Sequence, residues 1–127
     1  MRFDYLTLDE VLAIHANQIE IYGGAHDIRD LGALEAAVAR LKSGYYTDLI
    51  AEAAALWESL AQNHPFIDGN KRAGFACMVT ILRINDARFE PSQSETIAFI
   101  LDLYETGTFS FEKLEPWLRV HVALLYE

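Results

Sequence analysis

His64, Asp68, Asn70, Lys71 and Arg72 fall within one nine-residue run, His64-Pro65-Phe66-Ile67-Asp68-Gly69-Asn70-Lys71-Arg72. A base, a carboxylate, an amide and two cations at this spacing suit chemistry on phosphates. Imidazole exchanges protons near neutral pH, so His64 is the candidate general base. Asp68 offers hard oxygen to Mg²⁺. Asn70 can donate an amide hydrogen to a phosphate oxygen, and Gly69 lets a phosphate approach the backbone. Lys71 supplies a point charge and Arg72 a planar fork. Each residue also has a purely structural reading. His64 could be a core histidine bonded to a carbonyl, Asp68 a helix cap, Gly69 a left-handed turn and Asn70 a loop brace. Lys71 and Arg72 could be a solvated helix start, but cations there oppose the helix dipole. Accepting that cost points to a bound anion. Pro65 sets the turn, and Phe66 plugs the loop into the core.

The elements around the run must hold it between two helices. An alanine-rich segment opened by Thr47 or Asp48 runs through Ala61, apolar nearly all round, as expected of a buried central helix. Pro65 stops it, because the residue before proline avoids helical angles. A second helix begins at Gly69 or Asn70 and continues to Ile84, with Phe75, Met78, Val79 and Leu82 inward. The first N–H groups of that helix lack intrahelical partners, so its start favours anions.

The remaining periodicity is helical as well. Thr7 and Glu10 form a capping box before Leu8, Val11, Leu12, His15 and Ile19, and Gly23-Gly24 ends the helix. His15 reads as a helix-face residue and His26 as a loop residue. Asp30 can cap a helix burying Leu31, Leu34, Val38 and Leu41. Ser92 and Glu95 box a helix carrying Ile97, Ile100, Leu101 and Tyr104, ended by Thr106-Gly107. Ser110 can cap a last segment to about Leu125, bent or started by Pro116. Alternation for a sheet is missing; at most one short β-hairpin fits, near Leu41 to Tyr46. The expected fold is an all-α bundle of six or seven helices, a single domain over residues 1–127.

Composition narrows the function. A net charge of −9 argues against nucleic-acid binding. A hydrophobic fraction of 52% makes disorder an unsuitable description. The single cysteine, Cys77, allows no intrachain disulfide, which fits a reducing compartment. The opening residues do not read as a leader, and no apolar run approaches the ~20 residues of a membrane span. Cytoplasm is the expected location. No Walker-type phosphate loop occurs.

The run resembles the Fic/Doc motif, His-Pro-Phe-x-(Asp/Glu)-Gly-Asn-(Gly/Lys)-Arg, at every defining position. Lys71, where AMP-transferring Fic proteins carry glycine, is similar to the Doc (death-on-curing) branch. The arginine that ends the Fic pattern is replaced here by Phe75. Upstream, Tyr22-Gly23-Gly24 and Ile28-Arg29-Asp30-Leu31-Gly32-Ala33-Leu34-Glu35 resemble a stretch of Doc-type chains. Arg29 and Asp30 read there as residues that bond locally to fix the loop. The likeness extends from about Thr7 to Val122.

The resemblance implies a helical bundle with the motif between two central helices. It implies a toxin that uses ATP and Mg²⁺ to phosphorylate a protein hydroxyl, with elongation factor Tu as the family's known target, thereby inhibiting translation. His64 and Asp68 would be catalytic. Gly69, Asn70, Lys71 and Arg72 would bind ATP, and Asp68 would bind Mg²⁺. Tyr45 and Tyr46 would form a flap positioning the target. The alternatives are Fic-type AMP transfer and a catalytically silent binding module. Many Fic proteins carry an inhibitory Ser/Thr-x-x-x-Glu-Gly/Asn helix. The nearest match here, Thr108 with Glu112, is followed by Lys113 and fails. Restraint is therefore expected from a separate antitoxin that folds on binding, with neither nucleic acid nor membrane as a direct partner.

Overall fold

A computed structural model of the chain describes residues 4–46 and 48–125. Among them are six helices: α1 (Leu8–Tyr22), α2 (Leu31–Leu41), α3 (Leu49–Gln62), α4 (Asn70–Ile84), α5 (Gln93–Thr106) and α6 (Phe111–His121). The all-α reading holds. Both expected capping boxes form, Thr7 with Glu10 and Ser92 with Glu95. Asp30 and Asp48 cap α2 and α3 through their carboxylates. Thr47, the other candidate for opening α3, lies outside the described residues.

Helix α3 is the hub. Ala53, Ala54, Ala55, Leu56, Leu60 and Ala61 are all fully buried, and α2, α4 and α6 pack around it. Small residues let α4 come close. A Cβ on Gly74 would sit 3.1 Å from the Trp57 carbonyl oxygen and 3.2 Å from the Ala61 nitrogen. Trp57 anchors an aromatic cluster with Phe75, Phe109 and Trp117. Helix α1 packs on α4, whose first residues close the motif. No helix of the described residues is long and apolar enough to cross a membrane.

The structure differs from the expected pattern in three places. No strand forms near Leu41 to Tyr46. Instead β1 (Ala87–Phe89) pairs antiparallel with β2 (Val122–Leu124), joining the exit of α4 to the far end of the chain. Helical periodicity cannot reveal such a remote pairing of short segments. The last segment is not helical to Leu125, because it leaves α6 at His121 to become β2. Pro116 is accommodated inside α6, and Ser110 caps it by position without a side-chain bond. Finally, Leu31, expected on the buried face of α2, is 49% exposed, and the buried residues of that helix are Leu34, Ala37 and Leu41.

Candidate active site

The motif loop links α3 to α4, and every turn of it is braced. Asn63 caps the C-terminus of α3. His64 then takes φ +48°, a left-handed conformation that costs a non-glycine residue energy. That twist keeps the His64 side chain exposed while Pro65 and Phe66 turn inward and are buried. The histidine is thus a surface group and not a core residue bonded to a carbonyl.

Arg29 holds the outside of the turn. Its Nε donates to the His64 carbonyl at 2.6 Å and its second guanidinium nitrogen to the Asn63 carbonyl at 3.0 Å. The main-chain N–H groups of Arg29 and Asp30 both donate to the Pro65 carbonyl, and Ile28 forms an antiparallel bridge with Phe66. The Gly-Gly, Arg-Asp stretch is therefore a brace for the motif. Only Asp30 also acts locally, as the cap of α2.

His15 holds the inside. It is buried on α1 and stacks face to face on Phe66, with ring centroids 3.6 Å apart and planes within 4°. Its Nε2 lies 2.7 Å from the Asp68 carbonyl oxygen, which makes it the donor in the Nε2–H tautomer. Burial pulls its pKa below the usual histidine value, consistent with a neutral ring. The sequence sets His15 on a helix face in register with Val11 and Ile19, the buried stripe of α1, but carries no sign of its bond to the Asp68 carbonyl.

Gly69 is the N-cap of α4, at φ +79°. A Cβ there would meet the Ile19 side chain at 3.0 Å, with His15 and an Arg72 guanidinium nitrogen 3.5 Å away. A left-handed turn and close packing both require glycine. Asp68 is therefore not the helix cap. One of its oxygens accepts from the Ala25 N–H at 2.9 Å, tying the Gly23-Gly24 turn to the motif. Asn70 is buried and spans the loop. Its Oδ1 accepts from the Phe66 N–H and its Nδ2 donates to the Phe66 carbonyl, each at 2.9 Å.

The two cations diverge. Arg72 donates to the carbonyls of Gln18 and Gly23 at the end of α1 and faces the Tyr22 ring. Lys71 rests its ammonium over Tyr104 of α5. His64, Ile67, Asp68, Gly69, Asn70, Lys71 and Arg72 together line an open cavity of about 280 Å³. Lys71 and Arg72 also border a second, larger groove of about 790 Å³, walled by Tyr22, Phe75, Ile100 and Tyr104 among others. Phe75 points into the aromatic cluster, edge-on to Trp57 and Phe89. Tyr45 is 80% exposed, while Tyr46 accepts a hydrogen bond from Arg40 and packs on Phe111. Among the described residues of that loop, no hydrogen bond or ring contact joins it to the motif.

Among the described residues, no three His, Cys, Asp or Glu side chains gather into a metal-binding group. Mg²⁺ commonly binds through one or two carboxylates, with substrate phosphates and waters completing its shell. Asp68, with one oxygen engaged by Ala25, is the carboxylate at hand. The cavity thus brings an exposed imidazole, one carboxylate and two cations to the N-terminus of a helix, the parts a phosphate-handling site needs.

A profile of the Fic/DOC family matches residues 5–82, which include the whole motif and its braces. Toxin Doc of Mycolicibacterium smegmatis is 44% identical over 87 residues, covering 65% of this chain. The chain thus spans 65%, just under two thirds, of that relative's length. Protein kinase doc of Escherichia phage P1 is 31% identical over 119 residues, covering 91% of this chain and 93% of its own.

Proposed function

This chain belongs to the Fic/DOC family, and from that premise we propose that it is a Doc-like toxin that transfers the γ-phosphate of ATP to a hydroxyl of a protein target. His64 accepts the proton of the target hydroxyl as its oxygen attacks the γ-phosphorus, and the bond from that phosphorus to the β–γ bridging oxygen breaks to release ADP. The main-chain N–H groups at the start of α4, with Lys71 and Arg72, stabilise the phosphate charge. Asp68 would hold Mg²⁺; when bound, the ion neutralises phosphate oxygens. Asn70 acts mainly by bracing the loop, since both ends of its amide already bond Phe66. The inferred target is a translation factor of the elongation factor Tu type, with growth inhibition as the result. Tyr45 and Tyr46 are the proposed flap against which the target segment lies.

The observation that carries phosphate over AMP transfer is Phe75. The position that in the AMP-transferring pattern presents an arginine is here part of an apolar cluster with Trp57 and Phe89. It offers no charge to grip a second set of phosphates. Lys71 in place of glycine points the same way. The test is to supply ATP labelled on the γ- or α-phosphate with a cell extract. Label from the γ-phosphate should reach protein; α-label arriving with its adenosine would sink this reading in favour of AMP transfer.

Restraint by an antitoxin fits the groove beside the cavity. Ile97 and Leu101 stand exposed at 48% and 54% near its lip, with Lys71 and Arg72 at one end. An amphipathic segment that folds on binding, apolar on one face and acidic toward the cations, would complement it. Expression of the chain alone should arrest growth, and co-expression of the partner should restore it.

A further inference from the structure

Arg72 is anchored by two carbonyls, but no carboxylate of the described residues pairs with Lys71. Its ammonium instead lies over the face of Tyr104, 4.1 Å from the ring centroid. That ring is itself held. It stacks on Phe109 at 4.7 Å with planes 10° apart, and buried Phe109 lies edge-on to buried Trp57. Burial also pushes the Tyr104 phenol up to about 12, so the ring stays neutral at any working pH. Lys71 borders both the cavity that contains His64 and the groove that contains Tyr104.

We propose that Tyr104 is a positioning residue for Lys71, its ring face holding the ammonium at the border between cavity and groove so that an arriving phosphate meets an ordered cation. The proposal rests on the reading of Lys71 as a phosphate donor. Its physical basis is threefold. A lysine on a flexible stem must otherwise be ordered when ligand binds, and that ordering weakens affinity. The negative face of an aromatic ring attracts the ammonium without occupying its N–H donors as a carboxylate would. The same face offsets the repulsion between a cation and the positive end of α4. Tyr104 thereby tunes nucleotide affinity through Lys71 without itself touching the phosphate.

The test pairs a direct probe of the contact with a binding measurement. In the wild-type chain, the ε-methylene protons of Lys71 should show an upfield ring-current shift by NMR. Tyr104→Phe should retain the shift and bind Mg·ATP with wild-type affinity in a calorimetric titration. Tyr104→Leu should lose the shift and bind roughly three- to tenfold more weakly. In a Lys71→Ala background, Tyr104→Leu should add no further loss. A wild-type chain that binds Mg·ATP without the shift overturns the positioning role alone, and so does unchanged or tighter binding by Tyr104→Leu. A wild-type chain that shows the shift but binds no Mg·ATP overturns the phosphate-donor reading, and the positioning role with it. Should Tyr104→Leu fail to fold, the shift in wild type and Tyr104→Phe still decides whether the contact exists.

Discussion

The motif loop and helix α5 border the same pair of cations but are built on opposite principles. The loop is exposed at His64, Ile67 and Asp68, yet almost every bend in it is tied to a distant part of the chain. Arg29 and Asp30 hold its outer side, His15 and Ala25 its inner side, and Asn70 its middle. Helix α5 has regular capping at both ends, yet fully buries only Thr96 and Leu103. It leaves Ile97 and Leu101 to solvent. A surface that must hold reacting groups in fixed geometry gains from redundant bonds, because small displacements cost rate. A surface that must accept a folding partner gains from exposed apolar area and few fixed polar groups. Exposure alone does not separate the two; the origin of the restraint does.

The sharpest break in the comparison is at His64. Because its side chain is exposed while its backbone is strained, chemistry and stability should come apart. His64→Gly should lower phosphate transfer by ~10²–10⁴-fold, as for loss of a general base. It should also leave the chain as stable or more so by roughly 1 kcal/mol, since glycine adopts φ +48° freely. Label transfer and a denaturant titration on the same sample check both halves. Activity and stability falling together would mean that His64 holds the loop instead of serving the reaction.

Arg29→Ala should show the reverse coupling. It removes two bonds to main-chain carbonyls at the turn, so a loss of about 1–3 kcal/mol is expected together with a fall in activity. Arg29→Lys should restore part of the stability but not the two-carbonyl geometry. If Arg29→Ala unfolds at the wild-type denaturant midpoint, the brace is ornamental. Gly69→Ala belongs with it. The added methyl meets Ile19 at 3.0 Å in a left-handed turn, and ~1–3 kcal/mol should be lost.

Much of this was legible in the residues. Capping boxes, glycine stops and the alanine-rich hub follow from local chemistry, and the motif lies between α3 and α4 as its punctuation requires. What local chemistry could not show was who holds the loop. Arg29 bonds a carbonyl of His64 across a long stretch of chain, and His15 differs from any core-facing residue only by its ring nitrogens. The β1–β2 pairing escaped for the same reason, as each strand is three residues and carries no alternation of its own. Helix α2 misled differently. Its apolar spacing was real, but Leu31, the first residue of the helix, is half exposed and not packed in the core.

A smaller effect separates the inner brace of the motif loop from the hub helix α3 by pH. Burial holds His15 below its ordinary pKa, opposed by the Asp68 carbonyl and carboxylate and assisted by Arg72 and His26. The native state thus prefers the neutral ring, while the unfolded chain takes up a proton near pH ~6.5. The stability that His15 contributes is whole above that pH and is lost as pH falls below it. Buried Glu52 runs the other way. Burial raises its carboxyl, and its Oε2 lacks a partner among the described residues, so its contribution shrinks as pH rises above about 4.5. His15→Gln can keep a donor to the Asp68 carbonyl without titrating. The difference between wild type and His15→Gln across pH 5 to 7 isolates the histidine, and parallel curves would remove it as the source of the slope.

The smallest effect on the fold should come from the lip of the groove, and it is the most informative about α5. Ile97 is 48% exposed and Leu101 54% exposed, so each gives up little burial when replaced. Ile97→Ser and Leu101→Ser should each lower stability by no more than about 1 kcal/mol, roughly half the burial term of such a side chain. Their cost should appear only when a partner is present. An apolar anchor lost from a docking surface can weaken binding by more than ~1 kcal/mol, so co-expressed antitoxin should rescue growth poorly in the paired variant. Denaturant midpoints and growth rescue, measured together, separate the two roles. If the paired variant unfolds markedly more easily, α5 belongs to the core after all, and the contrast with the braced loop fails. If stability holds and rescue is undiminished, the antitoxin is gripped elsewhere and the exposed lip of α5 is not its seat.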